Sequence, residues 1–221
     1  MIRDNDVLLF QGDSITNAFR KPEELNDAYR MGAGYVLLIG ARLRAQRPQA
    51  GIRIENRGVS GDSLQRLRAR WEEDCLAVRP TLLSILIGVN NALGNVDAAD
   101  ARQDAEGFER DYDDLLNLTH RALPRLRLVL CEPFLLPAGN VTQKQVEAMS
   151  QRRAAVRRLA ERHHAVFVAF QGVLNEATRL APPVYWCYDG IHPTAAGHWL
   201  LAEAWLAAVD AAGSTGTRSR P

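Results

Sequence analysis

Short hydrophobic runs alternate along the chain with longer segments in which apolar and polar residues recur at helical spacing. The runs are brief and almost wholly apolar, as is typical of parallel strands covered on both faces. They predict strands at Val7–Phe10, Ile52–Glu55, Leu82–Ile87, Leu126–Cys131 and Ala165–Ala169. The amphipathic segments predict helices at Gly34–Ala45, Leu64–Val78, Ala105–Leu123, Val141–His163 and Ala195–Val209.

This alternation predicts a three-layer α/β/α sandwich around a doubly wound, flavodoxin-like parallel sheet of five strands. We expect a single domain over residues 1–212, followed by a polar, disordered tail over residues 213–221. Ligands of such sheets bind beyond the carboxyl ends of the strands, near the point where the strand order reverses. Functional residues are therefore expected directly after strands.

The composition is that of an ordinary soluble protein. Hydrophobic residues make up 47% of the 221 positions and charged residues 24%, and the formal net charge is +1. This balance gives no reason to expect a nucleic acid or a membrane as partner. No signal peptide is visible, so we expect a cytoplasmic protein, although a chain trimmed of its leader would look the same. The three cysteines are widely spaced and predict no disulfide framework.

The tripeptide G-D-S occurs twice, each time shortly after a predicted strand. In the first copy, Ser14 stands where a helix begins, and free backbone N–H groups there can bind a developing oxyanion. The second copy lies in G-V-S-G-D-S, where Gly58 and Gly61 indicate a sharply bent backbone. Serine and aspartate are also common helix caps. The pattern favours capping for Ser63 and leaves both roles open for Ser14.

Polar residues also follow the third and fifth strands. Asn90, in G-V-N-N, can be a turn residue or can donate its amide to an oxyanion. Asp189 and His192, in D-G-I-H-P, are spaced so that the carboxylate can fold back onto the imidazole and fix its tautomer. A nucleophile, a base with its orienting carboxylate and several oxyanion donors are thus expected at one edge of the sheet, and their coincidence predicts nucleophilic catalysis.

These blocks resemble those of the SGNH hydrolases, also called the GDSL esterase/lipase family. G-D-S-I-T is similar to the first block of that family, N-R-G-V-S-G to the second, G-V-N-N to the third and D-G-I-H-P-T to the fifth. The resemblance covers nearly the whole chain. It implies a serine esterase whose catalytic triad is Ser14, His192 and Asp189, without a metal ion or an organic cofactor.

The resemblance also implies an oxyanion hole formed by the backbone N–H groups of Ser14 and Gly61 and by the side-chain amide of Asn90. One residue departs from the family pattern. The third block usually reads G-x-N-D, and Asn91 stands here in place of the aspartate. The oxyanion asparagine is retained, so we expect the hole to survive, whereas the hydrogen bonding around the missing aspartate is open.

The chain looks most like the carbohydrate acetyl esterases of the family, which implies a small-molecule ester substrate such as an acetylated sugar. Aromatic rings before the triad aspartate can stack on a sugar face or pack the loop against the core. The segment C-E-P-F-L-L-P after the fourth strand is expected to form a pocket wall. The predicted pocket residues are Asp13, Phe134, Tyr185, Trp186 and Tyr188.

Several alternatives remain open from the sequence. Thioesterase, arylesterase and short-chain lipase activities belong to the same family, and a non-catalytic carbohydrate-binding protein could keep the same fold. A binding protein would have no need of the Asp–His pair. Whether the chain forms a homo-oligomer cannot be read from the sequence.

Overall fold

The computed structural model describes residues 1–94 and 104–215, and within them five strands form one parallel sheet in the order β2-β1-β3-β4-β5. Every neighbouring pair is parallel. The order reverses between β1 and β3, so the predicted doubly wound, flavodoxin-like sheet is confirmed. The strands are Val7–Gly12 (β1), Arg53–Asn56 (β2), Leu82–Leu86 (β3), Arg127–Cys131 (β4) and Val166–Val168 (β5).

Helices connect the strands and cover both faces of the sheet. The helices predicted over 34–45, 105–123 and 141–163 match closely, that predicted over 195–209 extends to Thr215, and most of the short helices were not predicted. The bounds are Ser14–Asn17 (α1), Asp27–Met31 (α2), Tyr35–Gln46 (α3), Leu64–Ala69 (α4), Val89–Leu93 (α5), Ala105–Ala122 (α6), Gln143–Arg162 (α7), Phe170–Ala177 (α8), Pro183–Trp186 (α9) and Ala195–Thr215 (α10).

Alternate side chains of each strand enter two separate cores. In β1, Leu8 and Phe10 pack with α3, α8 and α10, whereas Leu9 points to the opposite face and packs with α4, α6 and α7. Fully buried Trp205 of α10 lies beside Phe10 and donates its indole N–H to the Ser84 hydroxyl at 3.0 Å. Because both faces are covered, the strands read as continuous apolar runs in the sequence.

Two predicted boundaries were wrong. The helix expected over Leu64–Val78 is divided into α4 and a π-helical turn over Glu72–Leu76, in which the Ala77 N–H bonds to the Glu72 carbonyl. A π-helical turn contains one residue more than an α-helical turn, and its apolar residues still recur at nearly helical spacing. The hydrophobic pattern of the sequence therefore does not reveal the turn. The last helix, expected to end at Val209, continues to Thr215, and Ser214 Oγ donates to the Asp210 carbonyl, so residues 213–215 of the expected tail are helical. Residues 216–221 lie outside the described residues.

Candidate active site

Ser14 lies at the carboxyl end of β1, next to the point where the strand order reverses. A Cβ on Gly12 would lie 2.4 Å from the Leu86 carbonyl oxygen, so only glycine lets this turn run so close to β3. Asp13 follows and caps α1, because its Oδ1 accepts the N–H of Ile15 at 3.0 Å. Ser14 is the first residue of α1 and is partly exposed.

A chain of hydrogen bonds joins Ser14 to His192 and Asp189. The distance from Ser14 Oγ to His192 Nε2 is 2.9 Å, and that from His192 Nδ1 to Asp189 Oδ2 is 2.7 Å. A carboxylate accepts hydrogen bonds, so the imidazole carries its proton on Nδ1 and presents a lone pair on Nε2 to the serine hydroxyl. This is the arrangement that transfers a proton from serine to histidine.

Asp189 is held as a carboxylate by its own loop. Its Oδ1 accepts the backbone N–H groups of His192 at 2.7 Å and Ile191 at 2.9 Å. Partial burial raises the pKa of Asp189, but the hydrogen bonds from the backbone and ring of His192 and from Ile191 outweigh that effect. The pKa therefore lies below its usual value, and the carboxylate stays charged opposite the imidazole.

Gly61 lies in the loop that follows β2, at the same edge of the sheet as Ser14. Gly61 has φ +85°, a conformation that favours glycine. In the described residues, neither the Ser14 N–H nor the Gly61 N–H has a protein acceptor. Asn90 follows β3, is buried, and donates its Nδ2 to the Asp62 carbonyl at 2.8 Å. Its amide is thereby fixed against the loop that holds Gly61.

Arg70 ties together the loops that follow β1 and β2. Its guanidinium bonds to Asp62 Oδ2 at 2.7 Å and to Gln11 Oε1 at 2.9 Å, and it also bonds to Asp74 at 2.8 Å. A longer contact of 3.4 Å reaches the Gly12 carbonyl. The rigid fork of an arginine can satisfy several acceptors at once, so one side chain fixes both turns.

Asn91 occupies the position where the family block usually has aspartate, and it does much of what a carboxylate would do. It is buried, and its Oδ1 accepts the N–H of Leu64, the first residue of α4, at 3.0 Å. Its Nδ2 donates to Gln65 Oε1 at 3.0 Å. The side chain therefore joins α5 to the start of α4 and keeps Asn90 in register with the Gly61 loop.

Ser63 caps α4, as the sequence indicated. It is fully buried, and its Oγ accepts the N–H of Arg66 at 3.2 Å. The two G-D-S copies are therefore used differently, because the serine of the first contacts His192 and the serine of the second begins a helix.

Two predicted pocket residues lie elsewhere. Phe134 has no exposed surface and packs edge-on against Phe170 in the core, so its assignment to a pocket wall is corrected. An apolar residue after a strand suits a core as well as a pocket. Asp13 is corrected as well: its side chain is 1% exposed, because it turns inward to cap α1. Burial raises the pKa of Asp13 to about 7, although the hydrogen bond from the Ile15 N–H and the nearby His192 oppose the shift.

The three aromatic residues before Asp189 separate into different environments. Tyr188 is exposed, and its ring stacks parallel to that of His192 with centroids 5.8 Å apart. Trp186 packs partly against the core and donates its indole N–H to the Ala181 carbonyl at 3.2 Å. Tyr185 is exposed and meets Trp186 edge-on. Of the three, Tyr188 is the one that lies against the histidine of the site.

An open pocket of about 290 Å³ adjoins the Ser14–His192 contact, and most of its lining was not predicted from the sequence. Besides Ser14, Tyr188 and His192 it is lined by Ser60, Asn17, Phe19 and His198, among others. His198 lacks a motif of its own. The available signal was its place at the start of the helix that follows D-G-I-H-P, which brings it to the same edge of the sheet.

Other reactive groups contribute little to this region. All three cysteines are free and buried, and burial raises the pKa of each thiol to about 12, so none is a thiolate at neutral pH. Among the described residues, no cluster of three or more His, Cys, Asp or Glu side chains could hold a metal ion. No helix in the described ranges is long and apolar enough to cross a membrane.

Known proteins resemble this chain in fold and in sequence over almost their full lengths. The chain is 34% identical to the acetylxylan esterase of Geobacillus stearothermophilus over 207 residues, which cover 93% of this chain and 94% of that protein. Two structures of that enzyme are of catalytic mutants, in which a serine or an aspartate is replaced by alanine. Its own structure superposes with a TM-score of 0.84 at 33% identity and covers 94% of this chain and 95% of that one.

Two further structures are similar. A candidate GDSL-like lipase from Parabacteroides merdae has a TM-score of 0.90 and 37% identity, covering 95% of this chain and 98% of that one. An alpha/beta hydrolase enzyme from the metagenome of Lake Arreo, Spain, has a TM-score of 0.84 and 30% identity, covering 95% and 97%.

The fold and these relatives define a carboxylic ester hydrolase with a three-layer α/β/α architecture. The chain belongs to the GDSL-like Lipase/Acylhydrolase family, whose profile matches residues 10–200. The predicted family resemblance is thereby confirmed.

The role of Asn91 can be tested by two substitutions. Asn91→Asp keeps the acceptor for the Leu64 N–H, so we expect kcat/KM within about threefold of the parent and a change in unfolding free energy below about 1 kcal/mol. Asn91→Leu removes that acceptor from a buried N–H and should cost roughly 1–3 kcal/mol. Urea unfolding and ester hydrolysis measure both effects. Equal losses in the two variants would show that the amide, not the acceptor, matters.

The buried Asp13 predicts a particular pH dependence of stability. Its pKa is about 7 in the folded protein against 3.8 as the ordinary value, so the folded state retains a proton between about pH 4 and 7 that the unfolded state loses. Stability should therefore fall as pH rises through this window. Between pH 5 and 8 the fall should be smaller in Asp13→Asn by on the order of 2 kcal/mol, measured by urea unfolding. Parallel curves for the two proteins would contradict the assignment.

Proposed function

We propose that this protein hydrolyses small carboxylic esters, acetyl esters first, on O-acetylated carbohydrate, with Ser14 as nucleophile. The observation that carries the proposal is the continuous relay from Ser14 Oγ through the His192 imidazole to Asp189, at 2.9 and 2.7 Å. A protein that only bound sugars would have no use for a proton relay at the carboxyl edge of its sheet.

The mechanism follows from the proton positions. Ser14 Oγ attacks the ester carbonyl carbon while its proton moves to His192 Nε2, and Asp189 stabilises the imidazolium that forms. The carbonyl oxygen becomes an oxyanion, which the N–H groups of Ser14 and Gly61 and the Asn90 amide are assigned to bind. Loss of one such donor costs roughly 3 kcal/mol of transition-state stabilisation in other enzymes.

The intermediate then collapses. The bond from the carbonyl carbon to the alcohol oxygen breaks, and His192 returns the proton from Nε2 to that oxygen, which leaves as the free alcohol. The acyl group stays on Ser14 until a water, deprotonated by His192, attacks it. Carboxylic acid leaves and the serine hydroxyl is restored, so no oxidant, reductant or metal enters the balance.

The substrate class is supported by the relatives and by the surface beside His192. The Geobacillus stearothermophilus relative is an acetylxylan esterase, and the identity extends over nearly the whole of both chains. Tyr188 offers an exposed ring next to His192, and such a ring can stack on the apolar face of a sugar. The pocket at Ser14 is open, so the alcohol part of an acetylated carbohydrate can extend from it into solvent.

The nucleophile can be tested with the two G-D-S serines as a matched pair. Ser14→Ala should abolish turnover of p-nitrophenyl acetate and labelling by a fluorophosphonate, because the attacking oxygen is lost. Ser63→Ala removes only the α4 cap and should cost about 1 kcal/mol of stability with turnover within about threefold. Equal loss of turnover in the two variants would overturn the assignment of Ser14.

The substrate can be tested by a rate profile. We expect kcat/KM to fall as the acyl chain of p-nitrophenyl esters lengthens from acetate to octanoate, and acetylated xylo-oligosaccharides to release acetate. A preference for long chains would replace the acetyl esterase assignment with a lipase assignment, and faster turnover of acetyl thioesters would replace it with a thioesterase assignment.

A further inference from the structure

His198 is a second histidine beside the reacting groups, and the mechanism above does not use it. It lies near the start of α10, is 8% exposed, and lines the same pocket as Ser14 and His192. Its ring stacks nearly parallel on the buried ring of Tyr35, with an interplanar angle of 15°. Packing thus fixes the plane of the imidazole.

One hydrogen bond determines where the proton of this ring sits. His198 Nδ1 lies 3.2 Å from the backbone nitrogen of Tyr35, the first residue of α3, and a backbone N–H can only donate. Nδ1 must therefore be unprotonated, and a neutral imidazole must carry its hydrogen on Nε2. Burial, together with the nearby His192, lowers the pKa of His198 to about 4, so the neutral form prevails at pH 7.

Within the part of the chain that the structure describes, the hydrogen on Nε2 has no acceptor. In the described ranges, the Tyr35 contact is the hydrogen bond that His198 makes through its ring, and Nε2 is not among the fully buried atoms that lack a partner. A donor that remains unpaired in a confined site is costly, so water or a ligand oxygen must satisfy it. The Nε2–H group is thus a hydrogen-bond donor of fixed position on a residue that lines the pocket.

The lining assigns this pocket to the alcohol part of the ester, because the histidine that must protonate the leaving oxygen lines it. It is lined by His192, whose Nε2 must reach the leaving alcohol oxygen, and by Tyr188 and Ser60, whereas Gly61 and Asn90 do not line it. A group bound there belongs to the part of the ester that leaves.

We propose that His198 Nε2–H donates a hydrogen bond to an oxygen of the alcohol part of the substrate, in the vicinal position that a hydroxyl or ring oxygen of an acetylated sugar occupies. The inference rests on the proposed ester hydrolysis. It assigns His198 as a residue that selects oxygen-bearing alcohols. Because His198 Nδ1 accepts the Tyr35 N–H, the ring cannot change to the tautomer in which Nε2 would accept a hydrogen bond.

The test compares two acetate esters that differ by one atom. 2-Methoxyethyl acetate carries an ether oxygen two carbons from the ester oxygen, and n-butyl acetate has a methylene in that place. His198→Asn keeps a side-chain acceptor for the Tyr35 N–H but loses the Nε2 donor. We expect kcat/KM for 2-methoxyethyl acetate to fall roughly three- to tenfold, with n-butyl acetate and p-nitrophenyl acetate changed less than about twofold. An equal fall for all three esters, or no fall for any, overturns the proposal.

A measurement on the parent protein keeps the test independent of the variant's folding. Long-range ¹H–¹⁵N spectra at pH 7 should show His198 as the neutral tautomer protonated on Nε2, and a ring protonated on Nδ1 or on both nitrogens overturns the proposal. Failure of the parent to hydrolyse any of the three esters would instead refute the proposed function, and the tautomer would then decide for or against the His198 donor.

Discussion

The contact between Ser14 and His192 is the constraint on which the site depends, because it joins residues 178 positions apart in the chain. A parallel sheet makes such a contact possible, since all its strands deliver their following loops to one edge. β1 places Ser14 there, and the chain after β5 returns through α8 and α9 before it presents His192. The two cores on either side of the sheet therefore serve the site by fixing this one edge.

A second layer of contacts removes the freedom of the loops that carry the donors. Arg70 bonds to Asp62 and Gln11 and so links the loop of Gly61 to the turn of Ser14. Asn90 bonds to the Asp62 carbonyl from the third loop. Donors that are fixed before substrate arrives need no reorganisation when charge develops, which is why such networks favour oxyanion stabilisation. The replacement of aspartate by Asn91 is compatible with this layer because the acceptor of the Leu64 N–H is retained.

The fold was predictable because both faces of the sheet are covered, so that each strand is a short apolar run between amphipathic helices. The placement of Ser14, Asp189 and His192 was predictable because each follows a strand or precedes the last helix in a compact block. The position of His198 was not predictable, since the contact that orients its ring, with the Tyr35 N–H, spans 163 positions and leaves no local pattern. Phe134 was misplaced for the opposite reason, because an apolar residue after β4 fits a pocket wall and a core equally well.

The two G-D-S copies show how little of a residue's chemistry lies in the tripeptide. Both aspartates are buried, and burial raises the pKa of each. Asp62 has Arg70 within 2.7 Å to oppose the shift, whereas Asp13 accepts a backbone N–H and has no such cation in contact among the described residues. Asp62 therefore holds its loop through an ion pair with Arg70. Asp13 caps a helix, a role that it can keep when its carboxyl group is neutral. The serines differ in the same way: Ser14 lies within hydrogen-bond distance of His192, whereas Ser63 lies at the start of α4 and caps that helix.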